Sequence, residues 1–231
     1  MKPINITATT IPDAWFQCLY TLIEEIKKPD GAARRYTVDF GSDTGQDRIE
    51  FDFITLHITQ PRVRPLIPIF PEHLNLPPVS DEKYINEYMI YLLSPEKQPN
   101  EDYTYGERIS IGWDEAIRGF KEDGHNTNQI CLEVGKPDDI FKGDPPCLRL
   151  IDCRVENNTL HFIVYFRSWN LWNGMPNNLA ALQMAKELMA SEIGVNDGEI
   201  IAVSKGLNIR EYNLDVVAQR LQREVDANIG K

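Results

Sequence analysis

One cysteine and one Arg-Ser pair in the centre of the chain have the residue types that nucleophilic catalysis needs. Cys147 opens an apolar run that predicts a strand, and Arg167 and Ser168 close the next apolar run. Only a thiolate attacks carbon, and because the free thiol has a pKa of about 8.5, a nearby cation is needed to ionise it near neutral pH. A hairpin that brings Arg167 towards Cys147 would supply that cation. The alternative is a small core residue, the commoner role of a cysteine in a strand.

The segment that follows Arg167 concentrates polar and aromatic side chains just before a predicted helix. RSWNLWNGMPNN holds an arginine, two tryptophans, a Gly-Met-Pro turn and several asparagines within a short loop. Loops with this much polar and aromatic chemistry are typical of ligand sites. The segment therefore favours a functional over a purely structural role for Cys147.

Two consecutive strands must position the cysteine and the arginine, and a turn at Asn157 and Asn158 joins them. Period-two alternation predicts that four side chains share one face of the first strand. These are Cys147, Arg149, Ile151 and Cys153.

The remaining periodicity predicts helices and further strands with no regular βαβ alternation, which indicates an α/β or α+β sandwich. The predicted helices cover residues 13–28, SDEKYINEYMIYLL with Ser80 or Asp81 as its cap, and residues 113–122, 178–193 and 213–228. The predicted strands are RRYTVDF, RIEFDFITLHI, NQICLEV and the start of GEIIAVSKGLNIREY, whose end is predicted to be a polar loop. A proline-rich connector runs from Gln60 to Val79 and carries Arg62 and Arg64, two further candidates for phosphate binding.

Length and composition limit the class of protein. With 231 residues the chain suits one domain, 1–231. Its 24 basic and 35 acidic residues, a formal charge of -11, argue against a sequence-independent nucleic-acid binder. Four cysteines without CxxC spacing indicate a reducing compartment and no zinc site. The absence of a signal-peptide pattern and of a long apolar run predicts a cytoplasmic protein that does not bind membranes.

Three elements, in order, resemble the signature of thymidylate synthases, most closely their short archaeal-type branch. Pro-Pro-Cys at 145–147 opens a strand, Arg-Ser at 167–168 closes the next, and Gly-Met-Pro-Asn-Asn at 174–178 enters a helix. YTYGERI, residues 103–109, is similar to the Tyr-Gly-x-Arg element of that family. The resemblance implies a sandwich of mixed sheet with flanking helices, paired as a homodimer through a sheet face.

The resemblance also implies an activity: transfer of one carbon from 5,10-methylenetetrahydrofolate, without a metal, to carbon 5 of a pyrimidine nucleoside monophosphate, most simply dUMP to dTMP. Cys147 would attack carbon 6 of the ring. Arg167 would bind the phosphate and help to hold the thiol ionised, and Ser168 would donate to the phosphate. Arg48, after the loop GSDTGQD, would bind the phosphate too, although its spacing alone favours a solvated arginine after a hairpin turn.

Further roles follow from the resemblance at five positions. Asn178 would read the oxygen and ring N–H of a uracil with its amide. Glu87, which we expect among apolar neighbours, would arrange water for removal of the carbon 5 proton, although its position alone favours a half-exposed helix glutamate. Tyr105 would lie beside the active site. Trp169 or Trp172 would form a wall against the folate.

The chain departs from the family pattern at several positions. Asn128 and Gln129 stand where longer relatives have two arginines that cross the dimer interface. Asn170 replaces an aspartate of Arg-Ser-x-Asp, near the folate. Asn208 and Arg210 replace the His-x-Tyr that contacts the sugar 3′-hydroxyl. Losing an anion and gaining a cation here implies changed ligand chemistry.

These departures leave three hypotheses open. The first is a deoxyuridylate methylase with altered surroundings to its site. The second is a sibling reaction, hydroxymethylation of dUMP, dCMP, UMP or CMP, in which Asn208 or Arg210 meets the extra hydroxyl of a ribonucleotide. The third is a nucleotide-binding protein without turnover.

Overall fold

A computed structural model describes residues 1–226 and 228–230 and shows two mixed β-sheets with five α-helices among the described residues. The strands are β1 (Pro3–Ala8), β2 (Ala33–Thr37), β3 (Asp47–Phe51), β4 (Phe53–Ile58), β5 (Cys131–Glu133), β6 (Leu148–Glu156), β7 (Thr159–Phe166), β8 (Trp169–Asn170), β9 (Asn196–Ser204) and β10 (Leu207–Arg210). The helices are α1 (Ile11–Ile26), α2 (Glu82–Leu93), α3 (Tyr105–Glu122), α4 (Gly174–Ile193) and α5 (Leu214–Leu221).

The two sheets have different strand orders. The six-stranded sheet runs β1-β4-β9-β7-β6-β5, and the four-stranded sheet runs β2-β3-β10-β8. Parallel pairs are β1 with β4, β7 with β9, and β8 with β10, and the other pairs are antiparallel. Mixed sheets with flanking helices confirm the predicted α/β sandwich.

Strict alternation divides the six-stranded sheet into a buried inner face and a partly exposed outer face. The inner side chains of β4, β7 and β9 pack towards α1 and α4 and form the core. Burying one such side chain contributes about 1.5–3 kcal/mol. The inner residues are Ile54, Leu56, Ile58, Leu160, Phe162, Val164, Phe166, Ile200 and Ala202. On the outer face, cross-strand rows include Val203 with Tyr165 and Ile201 with Ile163, all partly exposed.

Helix α1 confirms the predicted packing helix. The Thr10 hydroxyl caps it by accepting from the backbone N of Asp13 at 3.2 Å, which satisfies one of the free N–H groups of the first turn. Its apolar side chains at helical spacing are buried throughout: Trp15, Cys18, Leu19, Leu22, Ile23 and Ile26. Across residues 1–226 and 228–230, no helix has the length and apolar character needed to span a membrane.

The prediction of RIEFDFITLHI as one strand is wrong. The run divides at Asp52 into β3, which belongs to the four-stranded sheet, and β4, which belongs to the six-stranded sheet. Asp52 donates its backbone N–H to Ala32 O at 2.9 Å, and its carboxylate accepts from the backbone N of Lys2 at 2.9 Å. The apolar alternation continues through the change of sheet, so the pattern alone does not reveal it.

Three helix boundaries also differ from the prediction. Helix α3 begins at Tyr105 rather than 113, because Thr104 caps it and Arg108, polar but 5% exposed, faces inward to pair with Asp139. Helix α5 ends at Leu221, far short of 228. Helix α4 begins at Gly174 rather than 178, and its Leu188 is 40% exposed.

A β-bulge changes the predicted face of the strand that follows the cysteine. Leu148 pairs with Phe166 and Leu150 pairs with Tyr165, so Arg149 is the extra residue. The inward side chains are therefore Leu148, Ile151 and Cys153, and the predicted shared face of Cys147, Arg149, Ile151 and Cys153 is wrong.

Asn208 and Arg210 lie on strand β10, not in the predicted polar loop. In the four-stranded sheet Arg210 is the cross-strand partner of Arg48 on β3, and Asn208 pairs with Asn170 on β8. This register brings side chains from distant parts of the chain to one place.

Candidate active site

A cleft of about 520 Å³ opens between the four-stranded sheet and the segment that leads into β6. Residues from the β2–β3 loop, β3, the turn before β6, the end of β7, β8 and β10 line it. Of the residues expected in the site, the cleft brings together Arg48, Cys147, Arg167, Ser168, Asn170, Asn208 and Arg210.

Arg167 lies beside Cys147, as the predicted hairpin requires. Its backbone N donates to Cys147 O at 2.8 Å. The guanidinium Nε donates to the carbonyl oxygens of Pro145 and Pro146, both at 3.2 Å, and Nη2 donates to Asp144 Oδ1 at 3.0 Å. The Pro-Pro turn therefore holds the guanidinium against the strand that carries the thiol.

Burial has the largest effect on the Cys147 thiol and raises its pKa above the ordinary value. The charge of Arg167 acts in the opposite direction, as do Arg48 and a hydrogen bond with Tyr105, while Asp144 raises the pKa further. Arg167 was predicted to lower the pKa of the Cys147 thiol, and its charge does so. The increase in pKa that burial causes is larger. The thiol is consequently protonated at neutral pH.

Three tyrosine side chains lie near the Cys147 thiol. The Tyr105 hydroxyl accepts from the backbone N of Leu148 at 3.3 Å, which places it next to Cys147. Tyr88 and Tyr103 interact electrostatically with the same thiol, and burial raises the pKa of Tyr103 to about 12. Tyr88 and Tyr103 were not predicted as site residues, although the sequence places them one residue from Glu87 and two residues from Tyr105.

A carboxylate in the β2–β3 loop joins two arginines of the cleft. Asp43 Oδ2 accepts from Arg210 Nη2 at 2.9 Å and also pairs with Arg48 Nη2. Arg48 Nε is buried without a hydrogen-bond partner among the described residues. Together with Arg167, Lys142 and Lys205, these arginines make the cleft locally basic in an acidic protein. The arrangement suits an anion such as a phosphate.

Asn178, in the first turn of α4, already has a partner at each end of its amide. Trp169 Nε1 donates to Asn178 Oδ1 at 2.9 Å, and Asn178 Nδ2 donates to Tyr88 Oη at 2.6 Å. An amide oxygen has two lone pairs and an amide nitrogen two protons, so one of each remains for a ligand. Its base-reading role stays a prediction.

Glu87 lies outside the cleft, and its expected apolar surroundings are wrong. Its side chain is 66% exposed and lies 3.8 Å from Lys83 Nζ, one turn earlier on α2. The helix turns Ile85, Tyr88 and Met89 towards the protein, which leaves Glu87 on the solvent side. We therefore assign Glu87 no role in the cleft.

The two tryptophans do not form the expected wall. Trp169 is 3% exposed and stacks on Phe166 with ring centroids 4.1 Å apart, and Trp172 packs against Trp15 at 5.4 Å. The exposed apolar side chains of the cleft are instead Phe40, at 88%, and Ile140, at 81%.

Three other candidate residues form hydrogen bonds or ion pairs within the protein. Asn170 Oδ1 accepts from the backbone N of Asn173 at 3.1 Å, and Asn208 Nδ2 donates to Gly206 O at 2.8 Å. Arg64 pairs with Glu187, and neither it nor Arg62 lines the cleft. Within residues 1–226 and 228–230, no group of three or more His, Cys, Asp or Glu side chains is placed to hold a metal ion.

Comparisons with known proteins agree on one family. The family profile described as "Thymidylate synthase" matches residues 113–229, just over half of the chain. A Methanosarcina barkeri protein is 23% identical over 219 residues, 92% of each chain, and one from Methanosarcina acetivorans is 27% identical over 144 residues, 59% of this chain and 66% of its own. Both are named "Putative thymidylate synthase". A Listeria monocytogenes protein named "Thymidylate synthase" is 27% identical over 99 residues, 42% of this chain and 32% of its own.

Proposed function

The chain belongs to the thymidylate synthase family, and from this we propose that it transfers one carbon from 5,10-methylenetetrahydrofolate to carbon 5 of a pyrimidine nucleoside 5′-monophosphate. The observation that carries the proposal is that Cys147 shares one cleft with Arg48, Arg167 and Arg210. Conversion of dUMP to dTMP is the first reaction to test, since it is the reaction that the names of the relatives indicate.

Cys147 supplies the nucleophile. Carbon 5 of a uracil ring is too weakly nucleophilic to take up a one-carbon unit by itself. When the sulfur adds to carbon 6, the ring becomes an enolate that is nucleophilic at carbon 5. Because burial raises the pKa of Cys147, the attacking thiolate depends on Arg167 and on the hydrogen bond with Tyr105.

The arginines supply the phosphate site. Arg167 now pairs with Asp144, whose side chain is 59% exposed, so a phosphate can replace that carboxylate with little rearrangement. Ser168 lines the cleft next to Arg167 and donates to the same phosphate. Arg48, with its unpartnered Nε, contributes a further donor.

Asn178 reads the base with the amide proton and the oxygen lone pair that have no protein partner. Its second Nδ2 proton suits the ring carbonyl at carbon 4, and the second lone pair of Oδ1 suits the ring N–H. This pattern fits uracil. Trp169 and Tyr88 hold the amide in the orientation that the reading requires.

The folate fits the mouth of the cleft. Phe40 and Ile140 are exposed apolar side chains at this mouth, and a flat heteroaromatic ring that packs on them covers apolar surface. Asn170 lines the cleft where it can donate to such a ring. When bound, methylenetetrahydrofolate supplies the carbon and, for a methyl product, the reducing hydride.

Hydroxymethylation, or use of a ribonucleotide, is the second candidate, and Arg210 favours it. Arg210 and Asn208 stand where the family pattern has His-x-Tyr, and Arg210 is bound to Asp43. A guanidinium beside a carboxylate offers donors and an acceptor to two adjacent sugar hydroxyls. If these positions set the choice of sugar, Asn208→His combined with Arg210→Tyr will raise the use of dUMP relative to UMP.

We propose a homodimer of this one domain, 1–231, in the cytoplasm, without nucleic acid or membrane as a partner. The outer face of the six-stranded sheet is the proposed contact because its central rows are apolar and partly exposed.

One assay tests these proposals together. Purified protein is incubated with methylenetetrahydrofolate and dUMP, UMP, dCMP or CMP, while dihydrofolate is followed by absorbance and the product by mass. Dihydrofolate with a methylated product supports the first candidate, and a hydroxymethyl product without dihydrofolate supports the second. No product from any nucleotide refutes both and leaves a binding protein.

The matched cysteine variants identify the nucleophile in the same assay. Cys147→Ala is expected to abolish turnover while the fold is retained. Cys131→Ala removes an exposed thiol on β5, outside the cleft, and is expected to leave turnover unchanged. Equal activity of the two variants would show that Cys147 is a core residue.

A further inference from the structure

The hydrogen bonds of Asn178 determine whether the Tyr88 hydroxyl donates or accepts in its contact with this amide. An indole N–H only donates, so the atom of Asn178 that faces Trp169 Nε1, at 2.9 Å, is the amide oxygen. The amide nitrogen therefore faces Tyr88 and donates to its Oη at 2.6 Å. Because an amide nitrogen does not accept, the phenol accepts here and its own proton must go elsewhere.

That proton has no protein acceptor within residues 1–226 and 228–230. The only side-chain partner of Tyr88 Oη in this part of the chain is Asn178 Nδ2, and the Tyr88 ring stacks on Tyr84 with centroids 6.0 Å apart. Burial raises the pKa of Tyr88, so the hydroxyl keeps its proton at neutral pH. A neutral donor thus lies next to the Asn178 amide, for which we propose base reading.

We propose that Tyr88 is a catalytic residue that donates a hydrogen bond to the carbonyl oxygen on carbon 4 of the pyrimidine. The inference rests on the proposed function. As sulfur bonds to carbon 6, the electron pair of the carbon 5–carbon 6 double bond shifts towards carbon 4, and negative charge develops on that oxygen. The phenol stabilises the charge, and its proton stays with Tyr88 when the pair returns to form the new bond at carbon 5.

The placement of the other groups supports this assignment. Asn178 Nδ2 has one remaining proton for the same oxygen, so Tyr88 completes a pair of donors, and two donors are the usual design for a developing oxyanion. Glu87, the neighbouring residue, is exposed and directed to solvent. Trp169 acts as a positioning residue, since its indole fixes which end of the amide meets the phenol.

The test compares two single-oxygen deletions on one helix. Tyr88→Phe removes the proposed donor, and Tyr84→Phe, one turn earlier, removes a phenol that is 48% exposed. For Tyr88→Phe we expect kcat to fall about 10²-fold to 10³-fold, as for removal of one oxyanion donor, with little change in the affinity for dUMP. For Tyr84→Phe we expect kcat near that of the wild type. Thermal unfolding verifies that both variants are folded.

A second readout omits the folate. Exchange of the carbon 5 hydrogen of dUMP with D₂O, followed by NMR, needs addition of Cys147 and formation of the enolate but no carbon transfer. Tyr88→Phe is expected to slow this exchange by the same factor as turnover. Exchange by the wild type without any folate-dependent product would refute the proposed function alone. A wild type with neither exchange nor product would refute both.

The proposal is overturned if folded Tyr88→Phe exchanges and turns over within threefold of the wild type. Should Tyr88→Phe fail to fold, Asn178→Asp replaces it in the test. A carboxylate at this position accepts from both Trp169 and Tyr88, and it therefore withdraws the phenol proton from the base. Slowed exchange is the expected result for Asn178→Asp, and an exchange rate equal to that of the wild type would overturn the proposal.

Discussion

In the proposed reaction, the protonation of one sulfur atom controls the chemistry of the cleft. Burial raises the pKa of Cys147, and the surrounding charges divide into Arg167 and Arg48, which lower it, and Asp144, which raises it. A thiol whose pKa is raised becomes reactive as the pH rises. The rate of its alkylation therefore reports the balance between burial and charge directly.

Removing the carboxylate at Asp144 should make the thiol more reactive at neutral pH. Asp144→Asn eliminates the negative charge that raises the pKa of Cys147 and releases Arg167 from its ion pair. We expect iodoacetamide to alkylate Cys147 about threefold to tenfold faster at pH 7, with the pH profile shifted to lower pH. The measurement uses a Cys131→Ala background and peptide mass mapping.

Two further variants complete that comparison. Arg167→Gln should move the alkylation profile in the opposite direction, to higher pH. Asp114→Asn changes an exposed carboxylate on α3 and should leave the profile where it is. A profile that is the same in all three variants would contradict the assigned charges.

At the scale of elements, the contact between α2 and α3 holds the tyrosines near the thiol. Gly106 makes this contact possible, because a Cβ at this position would lie 2.2 Å from Ser94 O and 2.3 Å from Tyr91 O. Both oxygens belong to the backbone, which cannot move aside alone. Tyr88 and Tyr105, one on each helix, depend on this close approach.

Gly106→Ala is therefore expected to destabilise the protein by more than about 2 kcal/mol, as overpacking against backbone does. Gly119→Ala is the matched control on the same helix, where the nearest atom, Ile130 Cδ1, is an ordinary 3.5 Å away. It should stabilise the protein by up to about 1 kcal/mol, since alanine favours helix. Urea unfolding measures both, and equal effects would refute the role given to Gly106.

How far the sequence predicts these elements depends on which interactions shape them. Period-3.6 patterns identified α1 and α2 because local apolar stripes face the core. The start of α3 was missed because Arg108 reads as a surface residue until its partner Asp139 is known, 31 positions away. The pairing of Arg210 with Arg48 on adjacent strands could not be predicted either, since sheet register joins residues distant in sequence.

The same reasoning applies to the site. Cys147, Arg167 and Ser168 were predicted as site residues from their own types and order, and the structure brings them to one cleft. Asp43 was missed because its pairing with Arg48 and Arg210 depends on three-dimensional packing that no local pattern encodes. Trp169 was misjudged because an indole beside a catalytic segment looks like a ligand wall, whereas here it fills the core and orients Asn178.

At the scale of the whole molecule, the outer face of the six-stranded sheet should join two copies. Ile163 pairs with Ile201 at the centre of this face. Ile163→Lys is expected to shift a dimer to monomer in sedimentation velocity, because a buried lysine without a partner is costly. Leu188→Lys places the same charge on an exposed position of α4 and should leave the dimer intact. A wild-type monomer, or equal dimerisation of both variants, would contradict this interface.

The most direct test of the central claim is to trap the sulfur on the ring. A fluorine at carbon 5 of dUMP cannot leave as a cation, so after carbon transfer the adduct has no route onward. Incubation with 5-fluoro-dUMP and methylenetetrahydrofolate should give a protein whose mass rises by nucleotide plus folate, with the added mass on the peptide that contains Cys147. Cys147→Ala should show no such increase. A wild type that binds the nucleotide yet gains no covalent mass, or gains it on another residue, would contradict the account.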